Sequence, residues 1–129
     1  MKRAYYTWLV AKALLELLRY DVIVRLRGYG AIQRQLNRQR LAPNLCDNDA
    51  EREICNAMLL ATCLYWKPVL CLQRSACLVR LLRKHGVFGR LVIGYRPSPF
   101  FSHAWAEVNG RVLNTSAGYQ KRLQILSVV

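Results

Sequence analysis

Two residues of this sequence have the types and the spacing for joint chemistry. Cys71 lies at the expected start of a helix, and His103 lies on an expected strand about thirty residues later. The positive end of a helix dipole favours a thiolate, and Arg74, one turn along on nearly the same face, adds to that effect. A thiolate beside an imidazole can carry out acyl transfer at an amide, with the helix-start N–H groups stabilising the oxyanion.

A hairpin supplies a candidate group to orient the imidazole. Asn109-Gly110 favours a two-residue type I′ turn. The pairs expected from this turn are Val108 with Arg111, Glu107 with Val112, and Trp105 with Asn114. Because side chains alternate along a strand, Asn114 then shares a face with His103 and lies diagonal to it. The candidate catalytic residues are therefore Cys71, His103 and Asn114.

Each candidate also has a structural interpretation. A cysteine in an apolar stretch is usually a buried small hydrophobe, which is the interpretation we prefer for the other four, Cys46, Cys55, Cys63 and Cys77. His103 could equally be an ordinary residue of an amphipathic strand, and His85 is most simply a charge at the end of its helix. With no CxxC pair and two histidines, neither a disulfide framework nor a metal site is indicated. Unbridged thiols favour the reducing cytoplasm.

The chain as far as Gly86 is predicted to be mainly helical. Apolar residues recur at helical spacing over residues 3–20, with Lys12, Glu16 and Arg19 expected on the opposite, solvent side. The expected core-facing residues are Leu9, Ala13, Leu14, Leu17 and Leu18. Residues 21–28 could continue this helix or form a short strand. Further helices are expected over residues 29–40, from 47–49 to about 66, and from about 70 to a stop at Gly86.

The pattern after Gly86 predicts an antiparallel sheet. Strands are expected over residues 90–95, 102–108, 111–114 and 123–126. Helices followed by such a sheet indicate an α+β fold. We therefore expect one domain over residues 1–129, with a helical part over 1–66 and a catalytic core over 67–129 in which the nucleophile-bearing helix packs on a small antiparallel sheet.

The charge is strongly and unevenly positive. Twenty Lys and Arg against seven Asp and Glu give +13, with +7 in residues 1–40, −2 in 41–70 and +8 in 71–129. Such a surface attracts acidic partners or anionic surfaces. No motif of a nucleic-acid module is visible, so a small nucleic-acid-binding protein with salt-dependent affinity is a weaker alternative.

The N-terminal apolar stretch does not have the pattern of a targeting or spanning segment. It is interrupted by Lys12 and Glu16, so neither a signal peptide nor a transmembrane helix is expected. A helix that lies on a membrane surface with its apolar side is the remaining alternative for this stretch.

Residues 69–114 resemble the transglutaminase-like family of lasso-peptide maturation proteases. The motifs that carry the resemblance are Cys71-Leu72-Gln73-Arg74-Ser75, Leu91-Val92-Ile93-Gly94 and His103-Ala104-Trp105-Ala106-Glu107, which are similar to the family's nucleophile motif, central strand and histidine motif. The resemblance implies a papain-like or transglutaminase-like fold. It also implies a cysteine protease that removes a leader peptide, with Cys71 as nucleophile, His103 as base, and no metal or cofactor.

The chain departs from the family at one point. Where the family commonly reads Asn-Asp after the second hairpin strand, this chain reads Asn114-Thr115-Ser116. A threonine hydroxyl can accept a hydrogen bond from the imidazole but lacks the charge of a carboxylate. In a regular hairpin Asn114 is expected to orient His103, whereas a bulge would give that place to Thr115. The alternative is a catalytically impaired subunit that binds the precursor for other enzymes.

The resemblance also implies partners. The length fits the stand-alone protease better than versions fused to a leader-recognition domain. The implied partners are the precursor peptide as substrate, a separate leader-recognition protein and the ATP-dependent lasso cyclase, with no nucleic acid and no integral membrane segment.

Overall fold

Four helices precede a four-stranded antiparallel sheet in the part of the chain that the computed structural model describes, namely residues 2–39, 48–87, 89–97, 100–108, 111–113 and 124–128. The helices are α1 (Lys2–Arg27), α2 (Tyr29–Arg38), α3 (Asn48–Leu64) and α4 (Cys71–Lys84). The strands are β1 (Arg90–Pro97), β2 (Phe100–Val108), β3 (Arg111–Val112) and β4 (Gln124–Val128). The predicted α+β fold, with N-terminal helices and the helix of Cys71 packed on a small antiparallel sheet, is confirmed.

Helix α1 continues through residues 21–27, the segment that the sequence left open between helix and strand. It ends at Gly28, whose φ of +80° lies in the left-handed region that glycine adopts without steric cost. The Gly28 N–H closes the last turn on the carbonyl of Val24 at 2.9 Å. Among the residues described, no helix combines the length and the hydropathy needed to cross a bilayer.

The prediction that Glu16 faces solvent is wrong. Its carboxylate is buried and accepts hydrogen bonds from Arg80 Nε at 2.8 Å and from Lys84 Nζ at 2.5 Å. Both partners lie on α4, so the carboxylate joins the two helices. The apolar periodicity of α1 separates its two faces, but it does not reveal that a basic helix packs against one of them.

Helix α4 lies between α1 and the sheet, and buried polar side chains fix it on both sides. Toward α1, Gln73 Nε2 donates to the carbonyl of Leu17 at 3.1 Å. Toward the sheet, Ser75 Oγ donates to the carbonyl of Ala104 at 3.2 Å. The helix ends as predicted before Gly86, which has a φ of +83°. These contacts set both the axial position and the rotation of α4.

The sheet order is β3-β2-β1-β4. The predicted hairpin pairs Val108 with Arg111 and Glu107 with Val112 are confirmed. The register stays regular as far as Leu113, whose N–H donates to the carbonyl of Ala106 at 3.0 Å. One face of β1 and β2 packs against the helices through the buried side chains of Leu91, Ala104, Ala106 and Val108. The predicted turn at Asn109-Gly110 and the predicted pair of Trp105 with Asn114 lie outside the described residues.

Candidate active site

Cys71 is the first residue of α4. The chain reaches it in an extended conformation at Leu70, and the first bond of the helix runs from the Arg74 N–H to the carbonyl of Leu70 at 3.0 Å. The N–H groups of the first turn therefore have no acceptor within the helix, and the dipole places its positive end there. The thiol is half-buried against the helical core, at the end of α4 that carries the positive end of the helix dipole.

His103 lies on β2, on the face of the sheet opposite to the side chain of Ala104. Its ring stacks on Trp105 with the ring centroids 6.1 Å apart and the planes at 27°. The residue opposite it on β1 is Gly94, whose lack of a side chain leaves room for the imidazole. A half-buried imidazole beside a rigid indole has a restricted orientation.

Arg74 links the electrostatics of the two elements. Burial, and after it the positive charge of Arg74, lower the pKa of His103 from its ordinary value of 6.5. Arg74 is one turn from Cys71 on the same helix, so its charge acts on both groups. The imidazole is thereby neutral at neutral pH and can accept a proton from a thiol.

The Ser75 hydroxyl brings the two elements together next to the candidate residues. Ser75 lies one turn after Cys71 on the same face of α4, and its acceptor is the carbonyl of Ala104, the residue that follows His103. Sequence reasoning did not single out Ser75. The sequence feature that could have revealed it is a small hydroxyl residue four positions after Cys71, between apolar residues of the same helix.

A cavity of about 260 Å³ opens beside Arg74. It lies between α3, α4 and the residue that follows β3, and its lining is mainly apolar with the Asn56 amide and the Arg74 guanidinium as polar groups. The other lining residues are Cys55, Met58, Leu59, Leu78 and Leu113. An extended peptide could place one side chain in this cavity while its backbone passes the start of α4.

The structure places the remaining predicted residues as follows. Asn114 and Thr115 both lie outside the described residues, so the choice between them stays a prediction. Glu107 shares the face of His103, and its carboxylate accepts a hydrogen bond from Trp105 Nε1 at 2.8 Å. Glu107 therefore holds the indole that stacks on His103.

The other cysteines differ from Cys71 in their surroundings. Cys77 is buried, its Sγ donates to the carbonyl of Glu16 at 3.4 Å, and burial raises the pKa of its thiol, which agrees with a structural role. Cys63 is exposed because it lies on the outer side of α3, so the prediction of a buried residue is wrong for it. Cys55 is half-buried, whereas Cys46 lies outside the described residues. The four cysteines that the structure describes form no disulfide, and the described part of the chain has no cluster of three metal-binding side chains.

His85 differs from its expected role as a terminal charge. It is half-buried with its ring edge toward Trp8, at a centroid distance of 5.9 Å. Burial and the charges of Lys12 and Lys84 lower its pKa, so it is neutral at neutral pH.

Comparisons with known proteins identify the family of the chain. A model of the transglutaminase-like superfamily matches residues 14–128, which include the second half of α1 and all of α2, α3, α4 and the sheet. Over 59 residues the chain is 37% identical to the Microcin J25-processing protein McjB of Escherichia coli. That match covers 46% of this chain and 28% of the relative, so the chain corresponds to only part of that protein. No solved structure matches significantly. The family match covers well over half of the chain, and the chain therefore belongs to the transglutaminase-like superfamily.

Proposed function

We propose that this protein is a cysteine peptidase that removes the leader peptide from the precursor of a lasso peptide. The observation that carries the proposal is the joint between α4 and β2: the helix that starts at Cys71 is bonded through Ser75 to the residue that follows His103. Membership of the superfamily and the similarity to a protein named for microcin processing support it.

In the proposed reaction, neutral His103 accepts the thiol proton while Cys71 attacks the scissile carbonyl carbon. The N–H groups of the first turn of α4 stabilise the oxyanion of the tetrahedral intermediate. Collapse of this intermediate breaks the C–N bond, and His103 donates its proton to the leaving amine. A water molecule that is deprotonated by His103 then hydrolyses the thioester and regenerates the thiol. This chemistry needs no cofactor.

We assign the orientation of His103 to Asn114. The regular register as far as Leu113 favours this assignment, because the next residue of a regular strand faces the same side as Trp105 and His103. An amide oxygen that accepts from the imidazole would fix its tautomer, as an asparagine does in papain-like proteases. Thr115 is the competing residue.

The cavity beside Arg74 is the proposed binding site for a substrate side chain next to the cleaved bond. Its mainly apolar lining suits an uncharged or acidic side chain of modest size, whereas the Arg74 guanidinium disfavours a basic one. The precursor would meet this chain in the cytoplasm together with a separate leader-recognition protein and the lasso cyclase.

The test uses a lasso-peptide precursor together with a leader-recognition protein. We expect mass spectrometry to detect separate leader and core peptides with the wild type and with Cys63→Ala, whose cysteine is exposed and distant in sequence from the start of α4. Cys71→Ala should give no cleavage. Full cleavage by Cys71→Ala would refute the proposal.

The alternative is a precursor-binding subunit without catalytic activity, and the observation that favours it is Thr115 in the place of the family's aspartate. It predicts that the wild type binds the precursor but leaves it intact even with the recognition protein present. It also predicts that Cys71→Ala binds the precursor as the wild type does.

A further inference from the structure

Helix α1 is apolar on the side that faces away from the core as well as on the side that faces it. The exposed residues recur at spacings of three, four and seven positions, which places them within an arc of about 80° on the helix. Their exposed fractions are Trp8 46%, Leu15 64%, Leu18 48%, Val22 47% and Leu26 76%. We call these five residues the outer apolar face of α1. It runs along most of a helix about 39 Å long.

The segment between α3 and α4 widens this face. Trp66 is 76% exposed and lines a cavity of about 410 Å³ together with Leu18 and Val22. Single exposed apolar residues are normally scattered over a protein surface. These residues line up along one helix instead, which is typical of a binding surface.

The charged side chains around the face are mainly basic. Lys12 Nζ lies 4.1 Å from the ring centroid of Trp8, and Lys67 Nζ lies 5.5 Å from that of Trp66. Arg25 lines the cavity. The carboxylate of Asp21, also in the cavity lining, forms an ion pair with Lys67 at 2.8 Å, so these two charges offset each other and Lys12 and Arg25 give the face its positive charge.

We propose that the outer apolar face of α1 binds to the surface of an anionic lipid bilayer. Leucine and valine side chains would enter the boundary of the acyl region, while the basic side chains remain among anionic headgroups. The two tryptophans suit this boundary, since the indole has an apolar body and a polar N–H. A second copy of the chain fits the face less well, because pairing two such faces would bring their lysines and arginines together.

The chemistry of the face also favours lipid over an acidic protein. Lysine above an exposed tryptophan occurs at both Trp8 and Trp66, so apolar and cationic groups alternate over the whole surface. The apolar residues form a ridge on one helix, which matches a soft, flat surface. This binding involves neither Cys71 nor His103, so it stands apart from the proposed peptidase activity.

The test is flotation of the full chain with vesicles of phosphatidylcholine that contain about a quarter phosphatidylglycerol, at about 0.15 M salt. We expect binding together with a blue shift of tryptophan fluorescence. Leu15→Ser and Leu26→Ser should each weaken the partition coefficient about tenfold without changing the charge. The matched control is Ile125→Ser on β4, a residue 60% exposed, which should bind as the wild type does. Circular dichroism checks that all three variants are folded.

Three outcomes would overturn the proposal. The first is no binding to these vesicles. The second is equal binding by Leu15→Ser, Leu26→Ser and Ile125→Ser, which would mean adsorption through net charge alone. The third is a dimer in solution that Leu15→Ser dissociates, which would make the face an interface between copies. Because Cys71→Ala should bind vesicles as the wild type does, failure here and failure of the peptidase proposal are distinguishable.

Discussion

At the scale of single residues, the proposed chemistry depends on two local environments. Cys71 lies at the N-terminal end of α4, where the helix dipole has its positive end, and His103 lies where burial and Arg74 disfavour positive charge. The second environment lowers the pKa of His103 and keeps a neutral base available. Both follow from the packing of α4 on β2.

Arg74 should control the acid limb of the pH profile. Because the pKa of His103 is lowered, kcat/KM should fall with decreasing pH around a midpoint below 6.5. Arg74→Met removes a positive charge, which raises that pKa, so the midpoint should move upward toward 6.5. Arg74→Lys keeps the charge and serves as the control. A midpoint that is the same in Arg74→Met and the wild type would contradict the electrostatic role of Arg74.

The residue that orients His103 can be identified by substitution. If Asn114 accepts from the imidazole, Asn114→Ala should lower kcat by about 10²-fold or more, because the imidazole loses its fixed tautomer. Thr115→Val, which removes only a hydroxyl, should change kcat little. The reverse pattern, measured with the same precursor peptide, would assign the orienting role to Thr115 and would imply a bulge after Leu113.

At the scale of elements, α4 is the component that positions the site. It is held to α1 by the ion pairs of Glu16 and by Gln73, and to β2 by Ser75. These contacts come from two opposite sides of the helix, so they prevent α4 from sliding or rotating. Cys71 at its first residue therefore has a defined position relative to the strand of His103.

Loss of the Ser75 hydroxyl should weaken this joint. Ser75→Ala leaves the buried carbonyl of Ala104 without its donor, which should cost about 1–2 kcal/mol in the free energy of unfolding. Thr62→Ala is the control, because its hydroxyl is exposed and bonds within its own helix to the carbonyl of Leu59. Measured by urea unfolding, the free energy of unfolding should fall less in Thr62→Ala than in Ser75→Ala. Equal losses in both variants would refute the special role of the joint.

The buried carboxylate of Glu16 should contribute more to the free energy of unfolding than the Ser75 hydroxyl does. Breaking a fully buried ion pair costs about 3–5 kcal/mol, but Arg80 and Lys84 are 22% and 36% exposed, so we expect about 2 kcal/mol for Glu16→Gln. The control is Glu53→Gln, a half-buried carboxylate on α3. Urea unfolding of both variants measures the difference. If Glu16→Gln loses no more free energy of unfolding than Glu53→Gln, the ion pairs contribute little to stability.

The elements were largely predictable from the sequence, whereas their contacts were not. The glycine at Gly86 and the proline after Lys67 mark chain breaks through local backbone chemistry, and the turn dipeptide set the register of β2 and β3 correctly. Glu16 was misplaced because helical periodicity reports apolar residues, while its burial depends on two cations of another helix. The outer face of α1 was missed for a related reason: Leu18 was assigned to the core, yet it is half exposed.

At the scale of the whole molecule, the fold separates two surfaces. One is the start of α4 with the neighbouring cavity and His103, and the other is the outer apolar face of α1. The charge of +13 acts on both, since it attracts acidic peptides as well as anionic lipids. The candidate nucleophile and base were predicted from residue types and spacing, as was an effect of Arg74 on Cys71. The effect of Arg74 on His103 and the hydrogen bond of Ser75 come only from the packing of α4 against the sheet.

The most direct measurement is the alkylation of the purified protein by iodoacetamide between about pH 6 and 7, with mass-spectrometric quantification at each cysteine. An activated thiol–imidazole pair predicts that Cys71 reacts faster than exposed Cys63, that Cys77 stays unlabelled because it is buried with a raised pKa, and that His103→Ala slows only Cys71. If Cys71 reacts no faster than Cys63, or at the same rate in His103→Ala as in the wild type, then these two residues do not form a catalytic pair.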